Sequence, residues 1–240
     1  MHDLVASWPA EPLDFSRRAA GPEIMDDDRL DAATYAAVIA DLARVNSITL
    51  ARPLTINWLK KQTKSLDSFS VLDVGFGHGD MLRAIAAWAR RAGKRVRLVG
   101  VDLNPRSAPA ARAATSPDDG IEYVTGQAED IDFKPDFIIS SLVAHHMGDA
   151  ELAGFILWMQ AAAARGWLIN DLHRHPLAWL GFQALARLFG WHPIVRHDGA
   201  LSVRRSLVRS DWTKLLKMAE IAAEVRWHIP FRWTVASCNR

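Results

Sequence analysis

Cysteine is nearly absent from this chain of 240 residues, Cys238 being the only one. A lone thiol near the C-terminus excludes an internal disulfide framework and any CxxC metal site, and it fits a reducing cytoplasm. A strong charge of either sign is lacking too. Lysine and arginine number 29 against 27 acidic residues, and no basic run is interleaved with aromatics, so no nucleic-acid groove is expected. The N-terminus, MHDLVASWPAEPLDFSRR, shows no basic segment followed by an apolar one, hence no secretory signal. No stretch reaches the ~18 apolar residues of a spanning helix. The histidines show no H-E-x-x-H spacing, and no metal is expected.

What is present suits one α/β domain with a sizeable core and an N-terminal helical addition, since half of the residues are apolar. Residues 1–29, with Pro9, Pro12, Pro22 and the run Asp26, Asp27, Asp28, have the composition of an extended arm. Asp31 is placed to cap a helix through about Arg44, ended near Asn46, whose face is Tyr35, Val38, Ile39 and Leu42. A second helix follows Pro53 and ends before Ser65. The two either cover an active site or pad a sheet edge. Residues 1–66 form an arm and cap in this reading, and 67–240 the main domain.

The main domain is organised around Val71 to Asp80, VLDVGFGHGD. An apolar strand runs into a glycine-rich turn and then into an amphipathic helix through Met81, Leu82, Ile85 and Trp88, so N–H groups at the helix start can face a ligand. A dinucleotide site would use G-x-G-x-x-G to hold a pyrophosphate. The spacing here is D-x-G-x-G-x-G, and a carboxylate at Asp73 would repel a pyrophosphate but attract an ammonium group. The stretch resembles motif I of the class I methyltransferases. That resemblance implies that Asp73 and the backbone of Gly75, Gly77 and Gly79 hold the amino-acid end of S-adenosylmethionine.

The remaining strands agree with that order. Val96 to Leu103 ends on Asp102, where ligands of doubly wound sheets lie, and the resemblance gives Asp102 the ribose hydroxyls, with Leu103 beside it. A nicotinamide site would also use an acid here. After a third strand, Ile121 to Val124, Gln127 and Ala128 resemble the adenine-binding segment, with Gln127 where many relatives carry Asp. Ser140, in a fourth strand from Asp136 to Ser141, is expected as a further cofactor contact. That strand leads to His145 and His146, a pair resembling the "LHH" segment of small-molecule methyltransferases. Histidine suits proton transfer near neutral pH. Adjacent side chains diverge after a strand, so one of the two is expected to face the substrate. A helix from about Ala150 to Ala164 leads to a fifth strand, Trp167 to Asp171, whose end carries Asp171, His173 and Arg174. These open into the cleft by the same rule or pair locally on the surface.

Leu177 to Phe189 is almost wholly apolar, and it opens an insertion at about 176–200. As a helix apolar all round it belongs in the core, or else it forms a lid that offers Trp179 and Phe182 to a lipophilic acceptor or presents a face to a membrane surface. Arg196 to Gly199 reads as a turn, Arg204, Arg205 and Arg209 as a solvated or locally paired face, and Ser210-Asp211 as the start of another helix. Val225 to Ala236, around Pro230, reads as a terminal hairpin, a trait of class I methyltransferases and not of nicotinamide domains.

The expected fold is therefore a doubly wound, seven-stranded, mostly parallel sheet with an antiparallel C-terminal hairpin. The expected activity is methyl transfer from S-adenosylmethionine to a small, lipophilic aromatic or phenolic acceptor, on oxygen first and on carbon second. His146 or His173 would be the base, with His145, Asp171, Arg174, Trp179 and Phe182 near the acceptor. A nicotinamide oxidoreductase and a non-catalytic adenosylmethionine-binding module are the readings from other classes. The protein is expected to be cytoplasmic, a monomer or homodimer, with no nucleic acid and no stable membrane insertion beyond peripheral contact.

Overall fold

The computed structural model describes residues 13–238. The start of the arm, with Pro9 and Pro12, lies outside them. Seven strands form one sheet: β1 Ser68–Val74, β2 Arg95–Asp102, β3 Ile121–Thr125, β4 Phe137–Ser141, β5 Gly166–Leu172, β6 Glu224–His228 and β7 Arg232–Cys238. Their order is β3-β2-β1-β4-β5-β7-β6, with β7 antiparallel to both β5 and β6 and every other pairing parallel. The order reverses between β1 and β4, which is where a doubly wound sheet opens a crevice beyond its strand ends.

Both faces of the sheet are covered, and the strands show why. Val71, Phe137 and Leu168 point into one apolar cluster, while their successors Leu72, Ile138 and Ile169 point into another. Continuous apolar runs, not alternating ones, are what such a double-sided core requires. One face is packed by α2 (Ala51–Gln62), α3 (Asp80–Arg91) and α4 (Ser107–Ala113) through Leu59, Leu82, Ile85 and Ala111. The other is packed by α5 (Asp149–Ala162) and α8 (Arg209–Met218) through Leu152, Ile156, Trp212 and Leu215.

A third cluster lies above the strand ends. Tyr35, Val38 and Ile39 of α1 (Ala32–Ile48) pack with Ala186 of α6 (Pro176–Leu188) and with Ile194 and Val195 of α7 (Pro193–Arg205). The two predicted N-terminal helices therefore divide their tasks. α1 joins the insertion to form a cap, while α2 pads the sheet. Asp31 caps α1 as expected, accepting from the Thr34 N–H at 2.9 Å, but the helix runs past Asn46 to Ile48.

The turn expected at Arg196 to Gly199 is instead the middle of α7. Pro193 opens that helix, and the His192 ring accepts from the Ile194 N–H at 3.2 Å. Gly199 carries no Cβ because the Phe182 ring rests on it, so packing and not turn chemistry selects glycine there. Ser210 and Asp211 lie inside the first turn of α8, where the Asp211 carboxylate accepts from the Val208 N–H. Nor is α6 buried all round: Leu177, Leu180, Leu188 and Phe189 are exposed, and only Ala186 is fully enclosed. Among the described residues no helix is long and apolar enough to cross a membrane.

The described part of the arm, expected to be extended, turns through one 3₁₀ helix at Ile24–Asp26 and is docked. The Arg18 guanidinium donates to the carbonyls of His145 at 3.0 Å and Met147 at 2.7 Å. The Asp198 carboxylate of α7 accepts from the N–H groups of Ile24 and Met25, both at 2.9 Å. This carries Glu23, buried to 3% exposure, to the mouth of the crevice.

Candidate functional site

A cavity of about 760 Å³ lies over the carboxyl ends of β1, β2 and β4 and beneath the cap. At one end the backbone leaves β1 through Gly75, Gly77 and Gly79, all with positive φ. Gly77 faces the open cavity, with nothing within 4 Å of the place a Cβ would take, and its N–H donates to the Asp102 carboxylate at 2.9 Å. The other Asp102 oxygen accepts from the Asn104 N–H at 2.9 Å. The carboxylate is thus fixed by the backbone and keeps lone pairs for a ligand.

Three acids crowd this end. Burial holds the Asp73 carboxyl well above the ordinary aspartate range, and the charges of Asp80 and Asp102 push it further. Burial also raises Asp80, against the pull of Arg52 at 3.6 Å. Such a cluster is relieved by a cationic ligand. It also offers unused polar atoms: Asn46 Oδ1 and Ser141 Oγ are buried without a hydrogen-bond partner among the described residues, and both residues line the cavity. Arg232, fully buried in β7, spends two nitrogens on Thr49 and leaves Nη1 unpaired in a residue that also lines it. A ligand carrying an ammonium, a carboxylate and hydroxyl groups suits this set of donors and acceptors.

At the other end, β4 runs into a single turn of 3₁₀ helix, Ala144–His146. His145 is buried, and Asp171 holds it twice: one carboxylate oxygen lies 2.8 Å from Nδ1 and the other accepts from the backbone N–H at 3.0 Å. Burial would raise the Asp171 carboxyl, but His145 brings it below its ordinary value. The His146 ring lies 4.4 Å from that of His145, centroid to centroid, and both rings line the cavity. The expected divergence of the pair does not occur, because the chain coils after β4 and does not continue extended. Glu23 arrives from the arm, its Oε1 lying 3.7 Å from His145 Nε2 and 3.6 Å from His146 Nε2. Burial pushes this carboxyl up to about 7, with His146 pulling the other way. Tyr35, Ile39 and Leu42 of α1 and Phe182 and Leu185 of α6 complete an apolar wall.

The fold and the chain's sequence both find relatives. A family described as a methyltransferase domain matches residues 71–166. The structure is similar to magnesium protoporphyrin IX methyltransferase from Synechocystis PCC 6803 with bound SAH, at 16% identity over 90% of this chain and 91% of that one, with a TM-score of 0.55. It is similar to a SAM-dependent methyltransferase from Aquifex aeolicus at 16% identity, over 88% and 99% of the two chains, with a TM-score of 0.59. It is similar also to the plantazolicin methyltransferase BpumL in complex with a monoazolic desmethylPZN analog and SAH, at 13% identity over 84% and 89%, with a TM-score of 0.63. No curated protein matches the chain in sequence. Residues 71–166 thus resemble a methyltransferase domain, and the fold is that of the solved methyltransferases.

Two of these structures hold SAH, and most of the residues predicted to hold S-adenosylmethionine line the cavity of this chain. Asp73, Gly75, Gly77, Asp102, Leu103, Gln127 and Ala128 do so. Gly79 does not: a Cβ there would lie 2.4 Å from the Tyr123 hydroxyl, so this glycine serves packing. Ser140 does not either. Its hydroxyl is buried and donates to the Val74 carbonyl at 3.0 Å, and Ser141 is the neighbour that reaches the cavity.

On the acceptor side, His145, His146, His173 and Phe182 line the cavity, whereas Asp171, Arg174 and Trp179 do not. Asp171 acts through His145. Arg174 is buried and clamps the arm and α8, donating to the Phe15 carbonyl at 3.1 Å, the Ser206 carbonyl at 2.6 Å and the Asp211 carboxylate at 3.0 Å. The His173 ring accepts from the Trp227 indole N–H at 3.1 Å through Nδ1, which leaves its other nitrogen to carry the proton when the ring is neutral. His173 therefore presents a donor. Arg205, read as surface, turns inward, with its guanidinium 3.7 Å from Glu23. Glu23, Asn46 and Arg232 escaped sequence reasoning, since each sits in a segment with no motif of its own.

Proposed function

We propose that this methyltransferase acts on a hydroxyl oxygen of a small, largely apolar aromatic or phenolic acceptor. The observation that carries the reading is the continuity of one cavity: buried acids at the cofactor end, an imidazole pair at the other, and an apolar wall between the cap helices and both. Two structural neighbours are named for other acceptors, magnesium protoporphyrin IX and plantazolicin, so the acceptor class rests on the cavity of this chain. S-adenosylmethionine supplies a methyl group already activated by its sulfonium. The chain's own work is then to align the acceptor, which accounts for about 7–11 kcal/mol of a barrier where geometry is well held.

Phe182, Leu185, Ile39 and Tyr35 hold the ring and exclude water, while the hydroxyl reaches His146. A phenol titrates near pH ~10, so an imidazole that shares its proton makes the oxygen the better nucleophile at neutral pH. His146 would take the acceptor proton as the oxygen accepts the methyl group, the cofactor leaving as the neutral thioether. His173 is placed to donate a hydrogen bond to a second polar group of the acceptor.

An acceptor screen read by mass gain, with phenols of graded alkyl length, tests this directly. Transfer is expected to favour the longer-chain phenols, and product NMR should place the methyl on oxygen. A methyl on ring carbon would move the reading to C-methylation. Transfer confined to polar, non-aromatic acceptors would refute the acceptor class. Calorimetry showing no S-adenosylmethionine binding would refute the cofactor assignment.

A further inference from the structure

The spacing within the imidazole cluster is unusual for a hydrogen-bonded group. Glu23 Oε1 lies 3.7 Å from His145 Nε2 and 3.6 Å from His146 Nε2, beyond hydrogen-bond reach. Those lengths are close to the edge of a tetrahedron around a central ion, about 3.4 Å for metal–ligand bonds near 2.1 Å. One donor atom from each of Glu23, His145 and His146 lies within 4.8 Å of the other two. We infer that Glu23, His145 and His146 form a binding site for a divalent transition-metal ion of the zinc class, with its fourth position open to the acceptor cavity.

The surroundings fit a metal site in two further respects. Both imidazoles carry a carboxylate behind the nitrogen that would not bind: Asp171 lies 2.8 Å from His145 Nδ1, and Asp26 lies 3.5 Å from His146 Nδ1. A carboxylate on Nδ1–H fixes the tautomer and turns the Nε2 lone pair toward the ion. Charge points the same way. Glu23, Asp26 and Asp171 place three carboxylates around the pair, and the Arg205 guanidinium, 3.7 Å from Glu23, offsets one of them. Glu23 itself is oriented by the Ser202 hydroxyl, which donates to Oε1 at 2.8 Å. Two histidines and a glutamate with one position left open make the arrangement of a catalytic zinc site, in contrast to the closed set of a structural one.

The consequence for the methyltransferase rests on the acceptor placement proposed above. An acceptor oxygen in the open position would be bound and made more acidic by the ion; in the metal-loaded protein His146 would be a ligand in place of the base, and the acceptor proton would pass to solvent. No local motif marks such a site, because its third ligand lies more than a hundred residues before the histidines, on the arm.

Co²⁺ titration of the tag-free full-length protein tests the site without reference to activity. Stoichiometric uptake with the intense visible absorption of a four- or five-coordinate Co²⁺ ion is expected. His146→Ala and Glu23→Gln should each remove that absorption while the circular dichroism stays native. Asp171→Asn should weaken uptake by about 10–100-fold, as loss of a carboxylate behind a ligating histidine does. His146 is the safer of the ligand variants, because its side chain is 31% exposed and its loss leaves the core intact. Absence of Co²⁺ absorption, or absorption unchanged in both ligand variants, overturns the proposal. S-adenosylmethionine binding is measured on the same samples: cofactor binding without Co²⁺ uptake refutes the metal site alone, and Co²⁺ uptake without cofactor binding refutes the methyltransferase reading alone.

Discussion

At the cofactor end of the cavity, Asp73, Asp80 and Asp102 come from one short stretch of chain, and the groups that would touch a ligand include backbone atoms of the turn after β1. At the acceptor end, Glu23, Tyr35, His146 and Phe182 come from four separate segments. The first end is local because a strand, a tight turn and a helix start create a binding edge by themselves. The second exists only when the arm, α1, the turn after β4 and the α6–α7 pair are packed together. Substitutions should therefore separate the two: changes at the first end should act on cofactor affinity, and changes at the second on acceptor handling.

The largest effect is expected for His146→Ala, which should lower kcat by ~10²–10⁴ while cofactor affinity stays within a few-fold. A cofactor affinity that falls with kcat would break the comparison, since it would couple the two ends. Next comes Asp102→Ala. It removes a carboxylate held by two backbone N–H groups, and calorimetry should show S-adenosylmethionine binding weaker by about 1.5–3 kcal/mol. Its acceptor KM at saturating cofactor should not move.

Phe182→Ala sharpens the contrast on the opposite side. The ring lines the cavity and covers Gly199, so its loss should raise KM for long-chain acceptors more than for short ones, by up to ~1.5–3 kcal/mol. Trp179→Ala, on the same helix but outside the cavity, should leave that selectivity unchanged, and an equal effect of both would return α6 to a purely structural role.

The smallest expected effect is on stability. Burial keeps the Asp73 carboxyl protonated to higher pH in the folded than in the unfolded chain. Its contribution to stability is therefore complete below the ordinary aspartate range and is lost as pH rises through the raised folded value. Cofactor-free Asp73→Asn lacks that loss. It should melt above the parent at neutral pH, and the two melting temperatures should converge in acid. Added S-adenosylmethionine should reverse the neutral-pH order, because only the parent gains an anionic partner for the ammonium group.

Much of the fold could be read from residue order. Val71 to Val74, Val96 to Asp102, Phe137 to Ser141 and Trp167 to Asp171 are apolar runs bounded by turns, and a run covered on both faces leaves little freedom in its assignment. The place of the D-x-G-x-G-x-G turn and of Asp102 at the strand ends was equally legible, since glycine and a strand end impose backbone geometry locally. Gly79 and Ser140 show where this stops. Each sits one step from a true lining position, and only the packing of Tyr123 or the Val74 carbonyl reveals that it points elsewhere.

The sequence by itself determined the parallel core, the terminal hairpin and the cofactor edge, because near neighbours in the chain make those structures. Tertiary structure alone decided that Arg196 to Gly199 is helix, that Arg174 clamps the arm, and that Glu23 meets His145 and His146. Such meetings join segments distant in the chain, and a residue's local pattern carries no record of what will pack against it.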